Sequence, residues 1–244
     1  MRIPRLYIDQ SVHSESQINL SQEKTHYISN VLRLRIGDPV KLFNDNDQEF
    51  DAKLISVTKK TAVLDVEASH EVHRESPLRV TLGIGISRGQ HMDYSIQKAV
   101  ELGVYQIVPI LSEFSNVKLQ DSRKGNKLSH WRNIMISATE QCGRTRLAKL
   151  AEPLSYHDYL NKDDSLTRLI LHPEDNESLQ GITINKNSLT LLVGPEGGFS
   201  KAEVGLAKDK GYRVAGLGPR ILRAETAVVT AMSLCQHQWG DLSG

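Results

Sequence analysis

Residues 189–200 read Leu-Thr-Leu-Leu-Val-Gly-Pro-Glu-Gly-Gly-Phe-Ser, and residues 217–227 read Leu-Gly-Pro-Arg-Ile-Leu-Arg-Ala-Glu-Thr-Ala. Leu189 to Val193 is an unbroken apolar run but for Thr190, the pattern of a strand buried on both faces. It stops at Gly194-Pro195-Glu196-Gly197-Gly198, where three glycines in five residues permit positive φ and close backbone approach. Ser200 followed by Glu203 has the spacing of a capping box and predicts a helix start, with Gly211 as its stop. Tyr212 to Leu217 predicts the next strand, and it too ends in Gly-Pro, at Gly218-Pro219. Two strands thus end in Gly-Pro loops with one helix between them. In parallel α/β sheets, ligands bind at the loops beyond the carboxyl ends of strands. Either turn alone fits a plain strand-to-helix connection; two of them carrying Glu196, Arg220, Arg223 and Glu225 point to a site. No Gly-Lys-Ser/Thr follows the glycines, which argues against a phosphate-cradling nucleotide loop.

Working outward, Val80, Leu82, Ile84 and Ile86 alternate with smaller or polar residues and predict a strand. Gly83-Ile84-Gly85 lacks the third glycine of a dinucleotide fingerprint. A helix follows with Ile96, Ala99, Val100 and Leu102 inward, closed by Gly103; then come a strand at 106–111 and a helix with Trp131, Ile134, Met135 and Ala138 on one face. A further strand at 169–171 ends in His172-Pro173. This alternation predicts a largely parallel sheet with helices on both faces. The first 70 residues read differently: short strands at 5–8, 39–43, 50–57 and 62–66, separated by turn residues, with one helix carrying a stripe of His26, Ile28, Val31, Leu32 and Leu34. The polar stretch His70–Pro77 marks the boundary, giving domains at 1–73 and 74–244.

With 39% hydrophobic and 24% charged residues, the 244-residue composition is that of a soluble globular protein. No apolar run reaches membrane-span length, and Met1-Arg2-Ile3-Pro4-Arg5 leads into no signal-peptide core, so neither a membrane nor secretion is expected. Cys142 and Cys235 lie far apart and the nine histidines are scattered, so the expectation is buried thiols, a reducing cytoplasm and no metal. Net charge is only +1, but residues 79–149 carry 11 Lys+Arg against 5 Asp+Glu, while both flanks are slightly acidic. Such a zone is either a solvated face or a footprint for nucleic-acid phosphates.

The pair LLVGPEGGFS and LGPRILRAETA resembles the C-terminal motifs of the SPOUT-class RNA methyltransferases, most closely the RsmE type, which makes 3-methyluridine in 16S ribosomal RNA. SRGQHMDYSIQKAVELGV, EQCGR, RIPRLYI and HYISNVLRLRIGD match the same pattern, so the resemblance spans essentially the whole chain. It implies a trefoil-knotted sheet behind a PUA-like β-barrel that binds RNA, S-adenosylmethionine as cofactor, a homodimer, and a substrate in the small ribosomal subunit. For the cofactor it implies an adenine slot lined by Leu171, Leu192, Leu217, Ile221 and Leu222, read by the backbone of Gly194, Gly198 and Gly218, with His172, Glu196, Gly197 and Thr226 around it. Core packing is the competing role for those leucines, Leu192 above all. For RNA it implies Arg5, Arg33, Arg88, Lys98, Gln141, Arg144 and Arg146.

Uracil N3 is a poor nucleophile while protonated and lies on the pairing edge, so the base must be unpaired and its developing charge stabilised. Arg223 is the candidate cation; an ion pair with Glu225 or Glu196 is its alternative role. Glu225 fits the start of a helix better than a general base. The helix from Ala227 onward, Ala-Val-Val-Thr-Ala-Met-Ser-Leu-Cys, is apolar almost all round and predicts a second covering surface, from the N-terminal domain or from another copy of the helix; the small residues Ala227, Thr230, Ala231 and Ser233 favour the copy and hence a dimer. Two other readings stand beside the leading one: a methyltransferase of tRNA or of ribose 2′-hydroxyls, and a non-catalytic RNA-binding assembly protein.

Overall fold

Short apolar alternations interrupted by Gly-Asp and Asn-Asp turns build the first sheet. In the computed structural model, which describes residues 3–115, 121–173, 179–184 and 187–243, the chain divides into two units. The first contains β1 (Arg5–Tyr7), β2 (Ser16–Asn19), β3 (Pro39–Phe43), β4 (Gln48–Val57) and β5 (Ala62–Glu71), in the order β1-β3-β4-β5-β2. β1 runs parallel to β3 and the other pairs are antiparallel. Leu6, Leu42, Phe50, Leu54 and Leu64 fill one core with Ile28. The expected helix is shorter and tighter: α1 (Gln22–His26), capped by Ser21, runs into a π turn at Tyr27–Val31. Ile28 is buried there but Val31 faces solvent, so the apolar stripe is narrower than the sequence suggests.

This unit comprises Met1–Glu75 together with Thr139–Leu147. A division at 73/74 does not include the second segment, which is held by contacts that no local pattern announces. The Arg5 guanidinium donates to the carbonyls of Thr139 (2.9 Å) and Arg144 (2.8 Å) and pairs with Glu49 at 2.6 Å. The Tyr7 N–H donates to Glu140 Oε1 at 3.0 Å, and Arg144 pairs with Glu75. The loop carboxylates add two more ties, Asp45 accepting from the Leu147 N–H and Asp47 pairing with Arg146.

The second unit is a parallel sheet. Its strands are β6 (Arg79–Gly85), β7 (Gln106–Leu111), β8 (Lys149–Leu150), β9 (Leu154–Ser155), β10 (Arg168–Leu171), β11 (Ser188–Val193) and β12 (Arg213–Ala215). They lie in the order β12-β10-β11-β6-β7-β8, with β9 also on β7. The helices are α2 (Gly89–Glu101), α3 (Asp121–Cys142, which belongs to the first unit from Thr139 on), α4 (Tyr156–Lys162), α5 (Lys201–Asp209) and α6 (Ala224–Trp239).

Strand alternation sorts the side chains onto two faces. Val80, Leu82, Ile84, Leu191 and Val193 meet α2, α3 and α6, whereas Val108, Ile110, Ile170 and Leu192 meet α4 and α5. Both faces are therefore covered, as the apolar runs require. The capping box is present in full: Ser200 Oγ accepts from the Glu203 N–H, and Glu203 accepts from the Ser200 N–H. Cys235 is buried in the α6 layer, and burial pushes its thiol up to about 12. Among the described residues, no helix is long and apolar enough to cross a membrane, and no three side chains gather as metal ligands.

Candidate active site

Three neighbouring parallel strands end side by side. Leu171 pairs in register with Ala215, and Ile170 with Leu192, which brings Val193 beside Leu171. Val193, Leu171 and Ala215 thus form an apolar floor at the carboxyl ends of β11, β10 and β12. Beyond each strand end the chain turns: Gly194 to Gly198 after β11, His172-Pro173 after β10, and the loop to Leu222 after β12. Together they enclose a cleft of about 190 Å³.

The turns are shaped by missing side chains. A Cβ on Gly194 would lie 2.8 Å from the Gly198 carbonyl carbon, so this turn closes on itself only without one. Gly198 sits at φ +71°, a conformation that side chains disfavour. Gly85, at the end of β6, passes so close to the turn that a Cβ there would come 2.3 Å from Pro195 Cδ. The glycine pair at 83 and 85 thus serves packing against β11 and its turn rather than a dinucleotide.

Of the cofactor candidates, Leu171, His172, Gly194, Glu196, Gly197, Gly198, Leu217, Gly218, Ile221 and Leu222 all line this cleft, with Ile221, 87% exposed, at its mouth. Two do not. Leu192 points to the opposite face of the sheet and packs with Ile110, Ile170 and Tyr159, because one step along a strand reverses the side chain; Val193 takes the cleft position. Thr226 is exposed on α6, and Ala224 and Ala227 line the cleft in its place. Pro173, Val193, Pro195, Ala215 and Arg220 also line it without having been singled out for this role; strand register across β10, β11 and β12 is the signal that finds Val193 and Ala215.

The charged groups are fixed by specific partners. The Arg88 N–H, at the start of α2, donates to Glu196 Oε1 at 2.8 Å. Burial works to raise the Glu196 carboxyl, but this bond and others outweigh it and hold the group below the usual carboxylate range. Glu225 Oε1 lies 3.0 Å from His91 Nδ1. Arg223 is exposed at the N-cap of α6, where its side chain makes no capping bond. The two carboxylates considered as its partners are engaged elsewhere, one by the Arg88 backbone and the other by His91.

The RNA candidates fall in both units. Arg5 and Arg144 are only 8% and 6% exposed and spend their guanidinium groups inside the first unit. Arg146 is exposed and pairs with Asp47; Lys98 pairs with Glu101 at 2.8 Å. Arg33, at φ +56°, Arg88 and Gln141 are exposed. Lys118, part of the basic zone, lies outside the described residues. Lys124 pairs with Glu152 at 2.9 Å, so the excess of positive charge between residues 79 and 149 is smaller in space than along the chain.

Comparison with known proteins adds to this geometry. A family model described as an RNA methyltransferase domain matches residues 74–236, and one described as an RNA methyltransferase PUA domain matches residues 20–67. A structure from Neisseria gonorrhoeae, a ribosomal RNA small subunit methyltransferase E bound to S-adenosyl methionine, superposes with a TM-score of 0.92 at 34% identity, covering 98% of this chain and 99% of that one. A methyltransferase structure from Legionella pneumophila, in complex with the same cofactor, gives 0.96 at 36% identity, covering 99% of this chain and 100% of that one. A ribosomal RNA small subunit methyltransferase E of Buchnera aphidicola is 35% identical over 99% of both chains. Matched end to end at this level, the chain belongs to the ribosomal RNA small subunit methyltransferase E family.

Proposed function

We propose that this protein methylates N3 of a uridine in 16S ribosomal RNA, using S-adenosylmethionine held in the cleft at the ends of β10, β11 and β12. The observation that carries this reading is the make-up of that cleft: an apolar floor of Val193, Leu171 and Ala215, edged by the Gly194–Gly198 turn and by the exposed Gly218. Such a slot suits an adenine ring, which needs flat apolar walls and hydrogen-bonding groups at its edge rather than charged side chains. Two similar proteins solved with the cofactor bound support the assignment.

When bound, S-adenosylmethionine supplies a methyl group already activated by its sulfonium, so the protein's task is alignment and charge control. Leu171, Leu217 and Leu222 exclude water from the slot. Glu196, kept ionised by the Arg88 N–H, presents negative charge at its edge. Arg223 supplies the cation for the negative charge that develops across O2, N3 and O4 as the N3 proton passes to water. The exposed Arg33, Arg88, Gln141 and Arg146, with Lys98, are the candidates for RNA contact.

The same reading takes the segment around β10, β11 and β12 as a trefoil knot and the first unit as a PUA-like barrel. A crystal structure traced from 74 to 244 decides the knot. A homodimer through α6 is supported by Leu234, a leucine left 43% exposed on that helix. Light scattering should give twice the chain mass for the wild type and a monomer for Leu234→Glu; a monomeric, active wild type would end that part of the proposal.

The reaction is tested by mapping modified nucleotides of 16S ribosomal RNA by mass spectrometry from cells with and without the protein. Loss of one 3-methyluridine is the expected result. An unchanged 16S pattern with loss of a tRNA or ribose methyl group would overturn it.

A further inference from the structure

An acceptor atom must come within about 3–3.5 Å of the transferred carbon, so the seat of the acceptor base has to border the cofactor cleft. A second, open depression does so. It is lined by Glu113, Phe114, Ser115 and Gly197, and Gly197 lines both hollows. Phe114 is 44% exposed, a large apolar ring at the surface between a carboxylate and a hydroxyl.

Its position is built rather than incidental. The buried Glu203, besides capping α5, accepts the Glu113 N–H at 2.8 Å through Oε1. The turn is closed by Ser115, whose N–H donates to the Ser112 carbonyl at 3.1 Å and whose Oγ accepts from the Ser112 N–H at 3.0 Å. A side chain on Gly197 would put its Cβ 2.7 Å from Phe114 Cβ, so that glycine lets the phenylalanine lie against the cofactor turn. One carboxylate thus ties the Phe114 turn and the start of α5 together.

We infer that this depression seats the acceptor pyrimidine, with the Phe114 ring as the surface on which the unpaired base stacks. The inference rests on the proposed methyl transfer. An unpaired base loses its stacking neighbours, and an aromatic side chain beside the site replaces them. The ring also fixes the plane of the base, and so the direction in which N3 presents its lone pair.

Four variants test this with the full-length protein: Phe114→Ala, →Leu, →Tyr and →Trp. Phe114→Ala should bind S-adenosylmethionine like the wild type but lose about 5- to 150-fold in kcat/KM for 16S RNA, the worth of one base stack. Tyr and Trp should retain most activity, whereas Leu, which fills the same space without a π face, should not. The Phe114→Trp fluorescence should be quenched by a short oligouridine. Full activity of Phe114→Leu, or no quenching, would overturn the inference. A wild type that binds the cofactor yet methylates no 16S RNA would instead overturn the proposed function beneath it.

Discussion

Replacing Gly194 by alanine tests the reading of the cleft at its tightest point. The added Cβ would stand 2.8 Å from the Gly198 carbonyl carbon, 2.9 Å from its Cα and 3.0 Å from the Phe199 nitrogen. Comfortable carbon contacts lie at about 3.5–4.0 Å. All three neighbours are backbone, so no side chain can rotate away and the turn itself must open. Overpacking of this kind costs about 1–3 kcal/mol. Because the same turn edges the cleft, a turn relaxed outward must be forced back around the ligand, and the cost reappears as a loss of about 5- to 150-fold in affinity. Gly198 supplies an internal control. Nothing lies within 4 Å of a Cβ there, and only its φ of +71° resists substitution, at about 1–2 kcal/mol. Asparagine tolerates that conformation better than alanine, so Gly198→Asn should recover part of what Gly198→Ala loses, while Gly194→Asn recovers nothing. Calorimetric titration with S-adenosylmethionine and thermal unfolding measure both effects. Gly194→Ala binding within twofold of wild type, with an unchanged Tm, would refute the steric argument.

Arg144→Ala strands Glu75 in a largely buried setting and should cost about 3 kcal/mol in denaturant unfolding, whereas Arg146→Ala breaks an exposed pair and should cost less than about 1 kcal/mol. Leu192→Ala should destabilise the protein by about 2–5 kcal/mol through the cavity it leaves, yet calorimetry on the folded variant should find cofactor affinity unchanged; a large loss would return Leu192 to the cleft. Burial works to raise the Glu49 carboxyl, but Arg5 and then Lys41 outweigh it and hold it below its ordinary range. A carboxyl lowered on folding stabilises above its unfolded pKa and ceases to do so as pH falls through the folded value. Stability should therefore fall below about pH 4.5, and Glu49→Gln should flatten that acid limb in pH-dependent unfolding.

The parts of this molecule legible in the sequence are those set by local chemistry. Ser200 and Glu203 bond to each other across one helical turn, and Gly211 ends the same helix at φ +83°, so α5 could be read from spacing alone. The cleft was legible as a place, because Gly-Pro turns after two strands have few other uses. Its floor was not. A run such as Leu-Leu-Val, buried on both faces, has no alternation to say which residue faces α6 and which faces α5; only its register with β10 separates Val193 from Leu192. Charge was misleading for a related reason, since a count along the chain cannot know that Asp47 and Glu75 come to meet Arg146 and Arg144. The His91–Glu225 pair, 134 residues apart, left no mark in either local segment. β2 escaped notice because Ser-Gln-Ile-Asn offers a single buried apolar side chain.

The segment Thr139–Leu147, which completes the first unit, bears on how the protein is made. A ribosome synthesising this chain has released residue 75 long before residue 147, and 72 residues separate them. At about 5–20 residues per second, that interval lasts roughly 4–14 s. Throughout it the Arg5 guanidinium faces Glu49 without the carbonyls of Thr139 and Arg144, and Asp45 and Asp47 wait for Leu147 and Arg146. The N-terminal sheet therefore stays incomplete until residue 147 has been made. For the same reason a fragment ending at residue 75 is an incomplete module: grafted onto another enzyme, it would carry a charged socket whose plug stayed behind.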